Sequence, residues 1–141
     1  MAIDPDQLAD LLAGRLAAIV PAGIQVRAAA GMLWYSRHAG RFPGQLGDFG
    51  PGMSGTHVRD NFEVYGPADE DRLAGTAVQA LDELQDFVSE ATHDPWPGER
   101  TQPRAQAQVR GPVLHLWYGA AAGDHVVLAC EPIPLASLRR G

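Results

Sequence analysis

The sequence predicts an α+β fold, and three observations lead to that prediction. Two segments repeat apolar residues at the three-and-four spacing of an amphipathic helix. Several shorter segments alternate apolar and polar residues, as half-buried strands do. Glycine and proline separate these segments. We therefore expect a two-layer sandwich, with a largely antiparallel sheet of five or six strands and two helices on one face, in the order α-β-β-β-α-β-β-β.

Length and composition limit the possible classes of protein. The 141 residues, of which 45% are hydrophobic and 20% charged, predict one globular domain over residues 1–141. A net charge of −6 opposes binding to phosphate-rich surfaces, so we expect neither nucleic acid nor membrane as a partner. All eleven basic residues are arginine, which removes lysine Schiff-base chemistry.

The single cysteine and the N-terminal run indicate the compartment. Cys130 alone excludes an internal disulfide and a cysteine-based zinc cluster, and its apolar neighbours predict a buried thiol. The Leu-rich run near the start is interrupted by Asp10 and Arg15, unlike a signal peptide or a membrane span. We therefore expect a cytoplasmic protein.

The first third of the chain predicts a helix and a hairpin. Asp4 is a typical N-cap, Pro5 a typical first helical residue, and the helix ends before Pro21. Its apolar stripe consists of Leu8, Leu12, Leu16 and Ile19. Residues 24–28 and 32–35 then predict two strands joined by a turn at Gly31.

A long glycine-rich loop follows at residues 37–55. Its apolar residues Phe42, Leu46, Phe49 and Met53 distinguish it from a polar flexible linker. A phosphate-binding loop is not indicated, because the glycines lack the Gly-Lys-Ser/Thr motif. Thr56–Tyr65 predicts a third strand, with Val58, Phe62 and Val64 on one face.

The stretch Asp69–Glu99 contains the clearest helix, which must end before Pro95. Its apolar stripe consists of Leu73, Ala77, Leu81, Leu84, Val88 and Ala91. With the first helix it should supply the core residues Leu8, Leu12, Leu16, Leu73, Leu81, Leu84 and Val88. Asp82, Asp86 and Glu90 repeat at i, i+4, where each like-charge pair costs roughly 0.2–0.5 kcal/mol.

The last third predicts a second hairpin and a final strand. A turn at Gly111-Pro112 separates strands over residues 105–110 and 113–118. His125–Glu131 forms the last strand, and Pro132-Ile133-Pro134 after it fits only an edge position.

The triplet Leu-Trp-Tyr occurs at residues 33–35 and again at 116–118. Duplication or chance can explain three shared residues, and chance is favoured. Both faces of these two strands are apolar, which predicts a cover supplied by residues 37–55 or by a homodimer.

The order helix, strands, long helix, strands resembles that of type III secretion chaperones, whose two-layer fold is dimeric, non-catalytic and protein-binding. The resemblance lies in element order alone. No motif of that family matches this sequence, so no functional residue can be assigned from it. Residues 84–99 are also similar to small uncharacterised bacterial proteins of GC-rich genomes, a family that implies no activity.

Candidate catalytic and metal-binding residues are few. Glu90 and His93 form Glu-x-x-His, half of a di-iron ligand set, but the first helix has no histidine to complete it. Ser54 lacks a Gly-x-Ser-x-Gly context, and Cys130 lies in an apolar run. We therefore expect no catalytic residue, no metal and no cofactor.

The predicted binding site is the acidic end of the long helix. It comprises Asp86, Glu90, His93, Asp94, Trp96, Phe42 and Phe49. Acids near a helix C-terminus oppose its dipole, and a Trp held between prolines loses little entropy on contact, so both suggest a use in binding. The competing interpretation, which we favour slightly, is that Trp96 covers the end of the core.

These patterns favour a non-catalytic binding or adaptor domain that contacts a protein partner or self-associates. The alternative is a small-molecule or metal-dependent enzyme with a site between the glycine-rich loop and the end of the second predicted helix. A cleft lined by convergent titratable groups, or metal in the purified protein, would favour the alternative.

Overall fold

The computed structural model describes residues 3–37, 53–65, 70–98, 103–121, 123 and 125–138. Its helices are α1 (Pro5–Ala17), α2 (Val58–Tyr65), α3 (Glu70–Thr92) and a short 3₁₀ helix (Leu135–Leu138). Its strands are β1 (Gln25–Ala29), β2 (Met32–Ser36), β3 (Met53–His57), β4 (Ala105–Arg110), β5 (Val113–Gly119), β6 (Val126–Ala129) and β7 (Ile133–Pro134). None of the helices in these ranges is long and apolar enough to cross a membrane.

The α+β class, the antiparallel pairing and the predicted order of elements are confirmed, but the strands divide between two sheets instead of joining one. The first sheet has the order β1-β2-β3, and in the second β5 pairs with β4, β6 and β7. Helix α1 packs on β1 and β2, whereas α3 contacts β3 of the first sheet and β4 of the second. The long helix therefore connects the two sheets, which do not pair with each other in the described part of the chain.

The predicted strand Thr56–Tyr65 is wrong beyond His57. Strand β3 begins earlier, at Met53 in the predicted loop, and α2 takes over at Val58. Val58 and Phe62 are both buried, and their spacing of four fits a helix as well as it fits a strand. Asp60 and Asn61 between them disfavour a strand, which decides for the helix.

Helix α1 begins as its sequence predicts. The Asp4 Oδ1 accepts hydrogen bonds from the backbone N–H groups of Asp6 at 3.0 Å and Gln7 at 3.4 Å, and Pro5 is the first helical residue. In its last turn, Arg15 donates to the carbonyl oxygens of Glu131 and Pro132, each at 3.2 Å. These two bonds tie α1 to the chain between β6 and β7.

One apolar core lies between the helices and the inner faces of both sheets. The predicted core residues Leu8, Leu12, Leu16, Leu73, Leu81, Leu84 and Val88 are all at most 1% exposed, so that prediction is confirmed. They share a single cluster with Leu33 and Tyr35 of β2 and Leu116 and Tyr118 of β5. Both long helices therefore lie on the core side of the sheets.

The repeated Leu-Trp-Tyr triplets occupy equivalent positions in the two sheets. In each triplet the Leu and Tyr face the core, and each Tyr reaches the middle of α3. The Tyr118 hydroxyl donates to the Leu81 carbonyl oxygen at 2.7 Å, and the Tyr35 hydroxyl lies 3.2 Å from the Ala80 carbonyl oxygen. The two sheets thus meet α3 at adjacent peptide groups.

The outer faces of β2 and β5 are covered within one chain. Trp34 is 2% exposed, and its Nε1 donates to the Ala29 carbonyl oxygen at 3.4 Å. Trp117 is 5% exposed, with its Nε1 donating to the Ala120 carbonyl oxygen at 2.8 Å and the Arg110 guanidinium 5.5 Å from its ring centroid. A second subunit is therefore not required to bury these outer faces. The homodimer stays a prediction, but the apolar outer faces no longer support it.

Candidate binding cleft

An open cleft of about 510 Å³ runs along α3 beside the first sheet. Helix α3 contributes Glu83, Asp86, Phe87, Glu90 and Ala91; β3 contributes Met53 and Ser54; and Arg37 follows β2. The helical residues recur at intervals of three and four, so they share one face of α3. Apolar and acidic groups therefore alternate along one wall of the cleft.

Glu83 is held at the inner side of this wall by a chain of hydrogen bonds. Its Oε1 accepts from Gln79 Nε2 at 2.8 Å, and its Oε2 accepts from the Thr56 hydroxyl at 3.1 Å. The Thr56 Oγ1 lies 2.6 Å from the Tyr35 hydroxyl oxygen. Thr56 and Tyr35 are fully buried, so this chain fixes Glu83 from the core side.

The hydroxyl groups of Thr56 and Tyr35 have one proton each but make three polar contacts between them, so the donor in each contact can be assigned from the strength of the acceptors. A carboxylate is a stronger acceptor than a hydroxyl or an amide carbonyl, which directs the Thr56 proton to Glu83. Tyr35 then donates to Thr56 Oγ1, and the Ala80 carbonyl at 3.2 Å is its weaker contact. Complete burial raises the pKa of Tyr35 above its ordinary value, which keeps it a donor.

Asp86 and Glu90 are placed differently from Glu83. Both side chains are exposed on the cleft wall, and neither has a hydrogen bond or ion pair within the described ranges. The pKa of Asp82, which lies one helical turn before Asp86, is raised. Partial burial is the larger cause, and the negative charge of Asp86 is the second. The acids of α3 thus repel one another, and no described residue forms an ion pair with Asp86 or Glu90, although Arg37 lines the same cleft.

Trp96 and the acids beyond α3 lie outside the cleft lining. His93 and Asp94 are exposed where the helix ends, and His93 has a left-handed φ of 61°. Trp96 is half-buried against the core, with its ring centroid 5.4 Å from that of Tyr118 at an interplanar angle of 71°. Its backbone N–H donates to the Ser89 Oγ at 3.3 Å. These contacts favour the interpretation that Trp96 covers the end of the core.

The structure therefore brings two of the seven predicted site residues, Asp86 and Glu90, into the cleft. Phe42 and Phe49 lie outside the described residues, between Arg37 and Met53. Sequence reasoning missed Glu83 and Phe87, although their spacing from Glu90 was visible on α3. It also missed Met53 and Ser54, because only tertiary packing places β3 beside that helix.

Comparison with known proteins adds no relative: no family model, no curated protein and no solved structure matches the chain. The cleft must therefore be interpreted from its own chemistry. Within the described residues, no group of three or more His, Cys, Asp or Glu side chains is arranged to hold a metal ion. The described lining combines three carboxylates, the guanidinium of Arg37, one hydroxyl and apolar side chains, so acids outnumber cations in it.

Proposed function

We propose that this protein is a non-catalytic binding domain whose cleft along α3 takes a basic segment of a partner protein. The observation that carries the proposal is the pair Asp86 and Glu90, two exposed acids on a cleft wall without a partner in the described part of the chain. Like charges four residues apart cost roughly 0.2–0.5 kcal/mol per pair in a helix. A bound cation would remove that cost.

The apolar part of the lining narrows the class of ligand. Phe87 lies between Asp86 and Glu90 on α3, and Met53 faces the same space from β3. An arginine or lysine side chain has an apolar stem and a charged end, so it can cover Phe87 or Met53 while its charge meets a carboxylate. An inorganic cation would leave the apolar lining unused. We therefore favour a basic peptide segment.

A pair of peptides tests this proposal. A blocked peptide of alternating Arg and Leu should give saturable shifts of the Asp86, Phe87, Glu90 and Met53 backbone amide signals in ¹H–¹⁵N NMR spectra. A peptide of equal length with Glu in place of Arg should give none. Equal effects of the two peptides, or Arg-peptide shifts spread evenly over the surface, would contradict a basic-segment cleft.

The expected resemblance to type III secretion chaperones suggests the same class of function, because those proteins bind protein segments. Self-association as a homodimer and a cytoplasmic location also stay predictions. The alternative of a metal-dependent or small-molecule enzyme uses the same cleft. Elemental analysis of the purified protein separates the metal-dependent case, since a stoichiometric metal would favour it over peptide binding.

A further inference from the structure

The acidic cleft also contains a positive charge, on the wall that the first sheet forms. Arg37 follows β2, and the pairing of Ser36 with Met53 puts it at the end of that sheet, beside the start of β3. Asp86 and Glu90 belong to the wall that α3 forms. Among the residues that the structure describes, Arg37 forms no ion pair with either acid. The cleft therefore presents charges of both signs that the fold keeps apart.

The sheet wall offers hydrogen-bond donors to an anionic group. A guanidinium can hold a carboxylate through two parallel hydrogen bonds. Ser54, whose hydroxyl is a further donor, lines the same wall as Arg37. A ligand with positive charge alone would place like charges beside Arg37, which is unfavourable. The ligand that fits the whole cleft therefore carries an anionic group as well as a cationic one.

The helix wall determines where the cationic group of the ligand lies. Glu83 is already held through both of its carboxylate oxygens, so Asp86 and Glu90 are the acids left for the ligand. Phe87 on α3 and Met53 on β3 give the same cleft apolar surface. The complete ligand thus needs a cation, an apolar stem and a carboxylate in one compact group. An arginine or lysine at the C-terminus of a chain has all three.

We propose that the cleft takes the C-terminal residue of a basic segment, with its terminal carboxylate on Arg37 and Ser54. The cationic end of the same residue meets Asp86 and Glu90, and its apolar stem covers Phe87. This inference rests on the basic-segment function proposed above, and it adds which part of the segment binds. A basic residue inside a chain lacks the carboxylate, so it would leave Arg37 without a partner.

Two peptides that differ only at the C-terminus test the proposal. The alternating Arg-Leu peptide, acetylated and ending in Arg, is titrated calorimetrically as the free acid and as the amide. The free acid should bind about tenfold more tightly, the worth of one charged hydrogen bond. General attraction to a chain of net charge −6 predicts the reverse order, because the amide is the more positive peptide.

The possible failures of the two proposals can be told apart. Equal affinities, or a tighter amide, would overturn the C-terminal assignment and leave the basic-segment cleft in place. Binding of neither peptide would overturn both proposals. Free arginine has the same side chain and carboxylate, so it serves as a third ligand. If it bound as tightly as the free-acid peptide, the cleft would be a site for the amino acid, and the assignment to a peptide terminus would be wrong.

Variants locate the two charges. Arg37→Gln should weaken the free acid about tenfold and spare the amide, so the preference between the peptides should disappear. Arg104→Gln makes the same change at an exposed arginine outside the cleft lining, and the preference should survive. Glu90→Gln should weaken both peptides alike, because they share the cationic side chain. A tenfold preference that persists in Arg37→Gln would show that the carboxylate binds elsewhere and would overturn the proposal.

Discussion

Truncation of Trp96 tests whether this residue belongs to the core or to a binding surface. Trp96→Ala removes the indole that packs on the core and meets the Tyr118 ring edge-on at 5.4 Å. The hydrogen bond from its backbone N–H to Ser89 Oγ does not depend on the side chain. Any loss of stability therefore reports on packing of the indole.

The expected loss follows from its half-buried state. Truncation of a fully buried Trp costs about 3–5 kcal/mol, so a half-buried indole should cost about 2 kcal/mol. An edge-on aromatic contact supplies about 0.5–1.5 kcal/mol of such a loss. For a chain of 141 residues this corresponds to a fall in Tm of roughly 6 °C.

Urea unfolding followed by circular dichroism at 222 nm measures the effect without relying on the fluorescence of the three tryptophans. Trp96→Phe is the matched control, because it keeps a ring that can contact Tyr118 and should lose about half as much. A change below about 0.5 kcal/mol in Trp96→Ala, the range of ordinary surface substitutions, would refute the core assignment. Trp96 would then be an exposed anchor.

Two further predictions concern Asp82 of α3 and the single thiol. The raised pKa of Asp82 means that the folded state holds its proton more tightly, so this group's contribution to stability falls as the pH rises through that pKa. Asp82→Asn should therefore be more stable than the parent at pH 7, by about 0.2–0.5 kcal/mol from lost repulsion, and the difference should shrink in urea unfolding at low pH, where Asp82 itself is protonated and uncharged. Burial raises the pKa of the Cys130 thiol from 9.0 to about 11, so its reaction with an aromatic disulfide at pH 8 should be about a hundredfold slower than in urea; equal rates would contradict its burial.

Most of the elements could be predicted because their signals are local. The Asp4 cap and Pro5 mark the start of α1, and the periodicity of α3 specifies its buried stripe without reference to the rest of the chain. The segment after His57 could not be assigned in this way, since Val58 and Phe62 fit both periods. The division into two sheets depends on which strands pair, and no local pattern encodes that choice.

The candidate cleft was predictable only in part, for the same reason. Asp86 and Glu90 attract notice because they are like charges at i, i+4 and because Glu90 opposes the helix dipole, and Glu83 and Phe87 could have been found on the same face. Ser54 has no local signal, because its place in the cleft follows from the packing of β3 on α3.

The most direct measurement compares two variants of equal charge by calorimetric titration with the alternating Arg-Leu peptide. Asp86→Asn removes a charge from the cleft wall, whereas Asp10→Asn removes one from the exposed side of α1. If the cleft takes a basic segment, Asp86→Asn should raise Kd about tenfold, since a charged hydrogen bond contributes about 1.5–3 kcal/mol, and Asp10→Asn should leave it nearly unchanged. Equal weakening by both variants would show general attraction to a chain of net charge −6 and would contradict a specific site on α3.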